Sequence, residues 1–256
     1  MRKANILYFV SLALVFFSQI PGYCAFVENF DDGKADKWEA ISGDWKADGG
    51  EYVQSEVFDK AGGDAFNRAS GYAVGNKDWT DYTFEVKIKP ISSNNYAGVM
   101  FRVAALDFGA NGNTFNNKSE YYYWLIGISG NYSKIWQAPA CKALEETPGD
   151  TLKPNSWNKV KVEMKGQDAK LYLNDKLQKD FKFPADVQLE SGGIALTTYN
   201  ASASFDDVRV EGVGLAVAPK DKLATTWGKS KNRRGDYEFN NIQIQSARLS
   251  ATTYKE

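Results

Sequence analysis

Residues 82–89 read Tyr-Thr-Phe-Glu-Val-Lys-Ile-Lys, a strict alternation of large apolar and polar side chains. Successive side chains on a strand point to opposite faces. As a strand, this segment buries Tyr82, Phe84, Val86 and Ile88 while Thr83, Glu85, Lys87 and Lys89 stay in water. Pro90 then ends it. The pattern returns at 157–164, with Lys159, Lys161 and Glu163 pointing outward. Asn174-Asp175 separates the strand-like runs 169–173 and 176–177, and two such residues predict a tight hairpin. Asp48-Gly49-Gly50, between Trp45 and Tyr52, predicts another. Further strands are expected over 96–103, 120–128, 132–136, 193–199 and 204–210. No stretch of ten residues in the body carries a helical stripe. About a dozen short strands with frequent turn signals predict an all-β sandwich or barrel over residues 26–213, one domain because both sheets share a core.

Composition narrows the chemistry. The 256-residue chain has no histidine, which excludes a Ser-His-Asp or Cys-His triad and a zinc site with imidazole ligands. Two cysteines cannot make a disulfide framework. Seven Trp, 14 Tyr and 15 Phe suit strands and offer ring faces to a ligand.

The ends differ from the body. Met1-Arg2-Lys3, an apolar run over 6–20 and small residues around Cys24-Ala25 predict a signal peptide over 1–25, and with it a secreted, periplasmic or cell-surface protein. Cleavage after Cys24 or Ala25 fits, and a lipid anchor on Cys24 is the alternative. Cys141 is then left as a single thiol with no apparent base to activate it. From Gly214 to Glu256 there are eight basic and four acidic residues, against 21 basic and 28 acidic over 25–213. A flexible basic tail on an acidic body is expected, and an anionic surface is its alternative role. The acidic body argues against nucleic acid as a partner.

Several segments taken in order resemble a known superfamily. They are Phe30-Asp31-Asp32-Gly33 with Trp38, Gly43-Asp44-Trp45, Trp79-Thr80-Asp81-Tyr82, Ala97-Gly98-Val99-Met100-Phe101-Arg102, Tyr172-Leu173-Asn174-Asp175, Gly192-Gly193-Ile194 and Phe205-Asp206-Asp207-Val208. The series is similar to the concanavalin A-like lectin/glucanase superfamily, nearest its laminin-G-like and 3-keto-disaccharide-hydrolase-type domains of exported bacterial proteins. Asp175 departs from the pattern, because the family hairpin often has Gly there. The resemblance implies a two-sheet antiparallel jelly-roll β-sandwich with one concave sheet that relatives use for sugars.

Sugars are held by aromatic rings against their apolar faces, so aromatics on the polar side of a strand are the candidates. Alternation sets Val99, Phe101 and Val103 inward and Arg102 outward. It likewise turns Tyr121 and Tyr123 out from Tyr122, Trp124 and Ile126, and Thr197 and Tyr199 out from Ile194 and Leu196. Arg102, Tyr121, Tyr123, Trp136 and Tyr199, with Glu85 on the outward side of its own strand, form the expected ligand site. A one-residue register shift would exchange these rings for their neighbours. The Asn- and Gly-rich segment 107–118 is long enough for one wall of a cleft. Asp31 and Asp32 near the first strand, and Asp206 and Asp207 in the last, are candidate ligands for a structural Ca²⁺, a site the resemblance supports in some relatives. Turn capping is the other reading of these residues.

The glucanase pattern Glu-x-Asp-x-x-Glu is absent from the sequence. The expected function is therefore an exported, non-catalytic domain that binds a polysaccharide or glycoconjugate. A keto-disaccharide-cleaving hydrolase and a protein-binding adhesion domain remain as alternatives.

Overall fold

A computed structural model describes residues 24–57, 67–72, 79–106, 119–130, 132–138 and 142–212. All belong to one unit of the chain, Met1–Ala218. The apolar run 6–20, the segment 107–118, Cys141 and the basic tail lie outside the described residues.

The strands form two antiparallel sheets. In the first, β13 (Lys176–Lys182), β12 (Asp168–Leu173), β11 (Asn158–Lys165), β6 (Tyr82–Pro90), β15 (Ala203–Glu211), β4 (Glu51–Gln54) and β3 (Trp45–Asp48) lie side by side in that order. β1 (Cys24–Glu28) also pairs with β15, taking up Val208–Glu211 where β4 has let go of Ala203–Phe205. The first and last strands are thus neighbours. In the second sheet the order is β10 (Lys142–Pro148), β9 (Tyr132–Ala138), β8 (Glu120–Gly127), β7 (Tyr96–Ala105), β14 (Gly193–Tyr199), β5 (Asn67–Tyr72) and β2 (Trp38–Ser42). One 3₁₀ turn, Ala185–Val187, interrupts the strands.

The core lies between the sheets. Tyr82, Phe84, Val86 and Ile88 meet Val99, Phe101, Tyr122, Trp124 and Ile126, all fully or almost fully buried. Each fully buried Val, Ile or Phe contributes about 1.5–3 kcal/mol over exposure. Phe183 stacks on Tyr122 with ring centroids 3.8 Å apart. Alternation therefore predicts the inward set of β6 and β8 correctly. The Asn174-Asp175 turn is present with φ of +50° and +63°, the left-handed pair that a two-residue hairpin needs. Asp175 accepts that conformation without glycine. The strands β2, β5 and β10 had no counterpart in the expectation, since none of them alternates cleanly.

Two of the register slips turn site candidates to another face or bring extra side chains into the core. Along β7 the register with β14 steps from Phe101 opposite Ile194 to Val103 opposite Gly193, so Arg102 is an extra residue. Its φ is +51°. The extra residue returns Val103 to the outer face of the second sheet and turns Arg102 the other way. In β15 the register with β6 slips between Asp206 and Arg209, with Asp207 at φ +49°. This slip lets Phe205 and Val208 both face the core.

Candidate functional site

The outer face of the second sheet carries the aromatics. Pairing sets Tyr123 opposite both Met100 and Trp136, Leu125 opposite Lys134, and Tyr199 opposite Tyr96. The inward neighbours Tyr122, Trp124 and Ile126 go to the core, so Tyr121, Tyr123, Trp136 and Tyr199 share the other side. The structure brings these four expected residues together. Tyr121 and Tyr123 are 0% and 2% exposed, and their rings stand 5.6 Å apart. They back the face rather than offer their surfaces. Trp136 and Tyr199 are half-buried and partly accessible. Thr197 faces the same way, and its hydroxyl is buried with no partner.

Two site residues escaped the sequence reading. Tyr96, at the start of β7, meets Tyr199 edge-on at 6.0 Å. Lys134 holds its ammonium 5.4 Å from the Tyr96 ring centre and 6.0 Å from that of Trp136. Both distances lie within reach of cation–π attraction. Lys134 was legible as Trp136 minus two on one strand; Tyr96 needed the register with Tyr199. Beside them a cavity of about 140 Å³ is lined by Asn95, Tyr96, Gly127, Ile128 and Gly130. Its rim is shaped by left-handed residues: Asn95 at φ +66° and Ser129 at +60°. The Asn95 carbonyl accepts from Ile128 N–H at 2.8 Å, and its side-chain amide donates to the Asn200 carbonyl at 2.8 Å.

Two other expected members lie elsewhere. Arg102 is a correction: the bulge turns it away from Tyr123 toward the first sheet. There its Nη2 donates to the Gly166 carbonyl at 2.7 Å and sits 3.9 Å from Asp81 Oδ1. Asp81 in turn accepts from Gly166 N–H at 2.8 Å. Arg102 is 1% exposed, and its Nε and Nη1 have no partner. Burial lowers its pKa from the ordinary guanidinium value, against the pull of Tyr82, Asp81 and Tyr122. This is a clasp between the sheets, not a ligand contact on the aromatic face. Glu85 is the second correction. It belongs to β6 of the other sheet, beside Lys159 at 3.8 Å, on the opposite surface of the sandwich. Alternation assigns a residue to a side of its strand but not to a sheet.

The four aspartates divide. Asp32 accepts from Lys34 N–H at 2.9 Å in a turn, and Asp207 pairs with Lys87 at 2.6 Å. Asp206 sits close enough to Asp31 for the charges to repel. Among the described residues no group of three acidic or thiol side chains is placed to hold a metal ion. Burial raises the Asp206 carboxyl above its usual range, with Asp207 and Asp31 adding to the effect and the Asp207 N–H and Lys87 opposing it. A carboxyl whose pKa is raised by folding destabilises the protein while it is ionised, and the penalty disappears as the pH falls below its unfolded value of about 3.9. Asp206→Asn is therefore expected to be more stable than the parent at pH 7, with the gap closing toward about pH 4 in urea melts. Calcium held by these carboxylates would reverse the order at pH 7, so melts with calcium and with a chelator read the metal expectation directly.

Two antiparallel sheets packed face to face, the outer face of one rich in aromatics, define a jelly-roll β-sandwich. A family model described as a 3-keto-alpha-glucoside-1,2-lyase-like domain matches residues 25–211, and the chain belongs to that family. None of the curated proteins matches it. Among solved structures, the carbohydrate-binding module CBM66 from Bacillus subtilis is 18% identical with a TM-score of 0.52, covering 69% of this chain and 96% of its own. A Bacillus subtilis protein with a galectin-like fold is 11% identical, TM-score 0.57, over 74% and 96% of the two chains. The Bacillus licheniformis β-glucanase is 13% identical, TM-score 0.50, over 75% and 99%. At such identities the likeness establishes the fold.

Proposed function

We propose that this chain is an exported glycan-binding domain that takes its ligand on the outer face of the second sheet, where Tyr96 and Trp136 flank Lys134 and Tyr199 meets Tyr96. The observation that carries this reading is one ammonium between the partly accessible rings of Tyr96 and Trp136, with the Tyr199 ring edge-on to Tyr96, beside a cavity of about 140 Å³. Ring faces cover the C–H side of a sugar, and a few fixed polar groups orient its hydroxyls. The amino-terminal basic and apolar residues support export.

The placement of the described carboxylates supports a binding role. Among the described strand residues of this face, Glu146 lies on one edge strand and Glu39 on the other. Six strand spacings separate them, roughly 25–30 Å. Glycosidase carboxylates work at about 5–9.5 Å. The family match favours a second reading, cleavage of a 3-keto-glucoside. A ketone at C3 acidifies the C2 proton. A base that removes this proton lets the C1 substituent leave with the bonding electrons, giving a C1–C2 double bond conjugated with the ketone. Lys134 and the phenols of Tyr96 and Tyr199 are the proton-transfer groups described there.

Calorimetric titration of the chain with an oligosaccharide panel tests the first reading. Trp136→Ala and Tyr96→Ala are each expected to weaken binding by up to about tenfold, the worth of one stacked ring, with circular dichroism unchanged. Absence of binding to every oligosaccharide overturns it. Appearance of an ultraviolet-absorbing enone from a 3-keto-disaccharide would establish the second reading instead.

A further inference from the structure

Resting on the glycan-binding reading above, we propose that the chain has a second sugar subsite, a polar cavity that takes a single sugar unit by its hydroxyls where the loop after β10 meets the β12–β13 turn. The cavity measures about 440 Å³, and its lining includes Asp150, Thr151, Lys153, Asn174 and Lys176. That volume falls within the range of about 300–1,000 Å³ usual for small-molecule sites, most of which are lined by apolar side chains. A lining of one carboxylate, two ammoniums, an amide and a hydroxyl fits instead a ligand that is polar all round. A sugar is such a ligand, because each hydroxyl both donates and accepts. The place of the cavity also relates it to the aromatic face. Ile128, which lines the smaller cavity beside Tyr96, forms a parallel bridge with Leu152, the residue between Thr151 and Lys153. Leu152 N–H donates to the Gly127 carbonyl at 2.9 Å. The two cavities therefore lie on neighbouring segments of backbone.

The walls are tied together before any ligand arrives. Asp150 N–H donates to Gln178 Oε1 at 3.0 Å, and Gln178 Nε2 donates back to Asp150 Oδ2 at 3.0 Å. Lys176 Nζ reaches the same carboxylate, 3.2 Å from Oδ1 and 3.0 Å from Oδ2. On the turn, Asn174 N–H donates to the Lys159 carbonyl at 2.8 Å, and its Oδ1 accepts from Lys159 N–H at 2.9 Å. Binding therefore has little left to order. The capacity that remains is mixed. Among the described residues Lys153 Nζ makes no hydrogen bond or ion pair, and neither Asn174 Nδ2 nor Thr151 Oγ1 makes a hydrogen bond. These groups donate to sugar oxygens. Hydrogen bonds from Lys176 and Gln178 hold the Asp150 carboxyl below the usual carboxylate range, so at neutral pH it accepts from sugar hydroxyls. Asp150 offsets the charge of Lys176 and leaves that of Lys153, which makes a small anion the competing occupant.

The test follows backbone amide shifts of the isotopically labelled full chain during titration with glucose, galactose, mannose, N-acetylglucosamine and the oligosaccharide panel, and separately with sodium sulfate. At least one sugar is expected to move the amides of Asp150, Thr151, Asn174 and Lys176 saturably. Lys153→Met and Asp150→Asn should each weaken that sugar about tenfold, the effect of one charge-assisted hydrogen bond. Trp136→Ala should leave its affinity at the cavity within about twofold. Both substituted side chains are exposed, so thermal melts are expected to match the parent. Cavity shifts that survive both variants unchanged overturn the proposal. Saturable cavity shifts from sulfate and from no sugar overturn it too, and make this an anion site. Sugar-dependent shifts confined to Tyr96, Trp136 and their strands would remove the second subsite and leave the glycan reading standing. No shift anywhere with any sugar would remove both.

Discussion

Tyr82→Phe will lower the stability of the fold by about 2–4 kcal/mol while leaving its shape intact. The substitution removes one oxygen and no volume from the core. That oxygen accepts from Arg102 N–H at 2.8 Å and donates to the Gly193 carbonyl at 3.2 Å. Both partners belong to the opposite sheet, at the bulge, where the extra residue has no place in the ladder. Without the hydroxyl, each buried backbone group loses its partner at a cost of about 1–3 kcal/mol. Tyr82 itself is 3% exposed, and burial holds its phenol protonated far above the ordinary tyrosine range, so the loss does not vary across neutral pH. Urea denaturation should show a lower midpoint with an unchanged slope. A shift below about 1 kcal/mol would mean that the hydroxyl does not hold the bulge.

Gly98→Ala is expected to cost about 3 kcal/mol or more. Gly98 lies opposite Leu125, in the middle of the second sheet. A Cβ there would stand 2.0 Å from the Trp124 carbonyl oxygen, 3.0 Å from its carbon and 3.2 Å from the Leu125 Cα. These are backbone atoms of the neighbouring strand, so no side chain can swing aside. β7 and β8 would have to part, and overpacking of a rigid interior costs about 1–3 kcal/mol even when side chains alone yield. Against a typical domain stability of about 5–15 kcal/mol this is a large fraction. The same strand pairing places Tyr96 opposite Gly127 and Met100 opposite Tyr123. Glycan binding should therefore fall more than the folded population does. A melting temperature within a degree or two of the parent would show that the two strands separate at little cost.

Much of the candidate site was legible. Period-two alternation separates Tyr121 and Tyr123 from Tyr122 and Trp124 without any fold, because a strand allows only two sides. It did so correctly on β8, and again for Thr197 and Tyr199 on β14. The same rule failed at Arg102. Its bulge is held by Tyr82 from the other sheet and by Gly192, where a Cβ would lie 2.3 Å from the Arg102 carbonyl carbon. Neither contact is local in sequence. Glu85 was placed on the correct side of its strand, yet that side belongs to the other outer surface.

Local sequence by itself determined most of the strands, which way most of their side chains point and where the tight turns fall, since these depend on alternation and on φ-tolerant residues a few positions apart. Only the tertiary structure decided which sheet each strand joins, where the ladder slips by one residue, and that Lys134 and Tyr96 meet beside Trp136. Those outcomes depend on contacts between segments dozens of residues apart, and a pattern of period two carries no information about its distant partner.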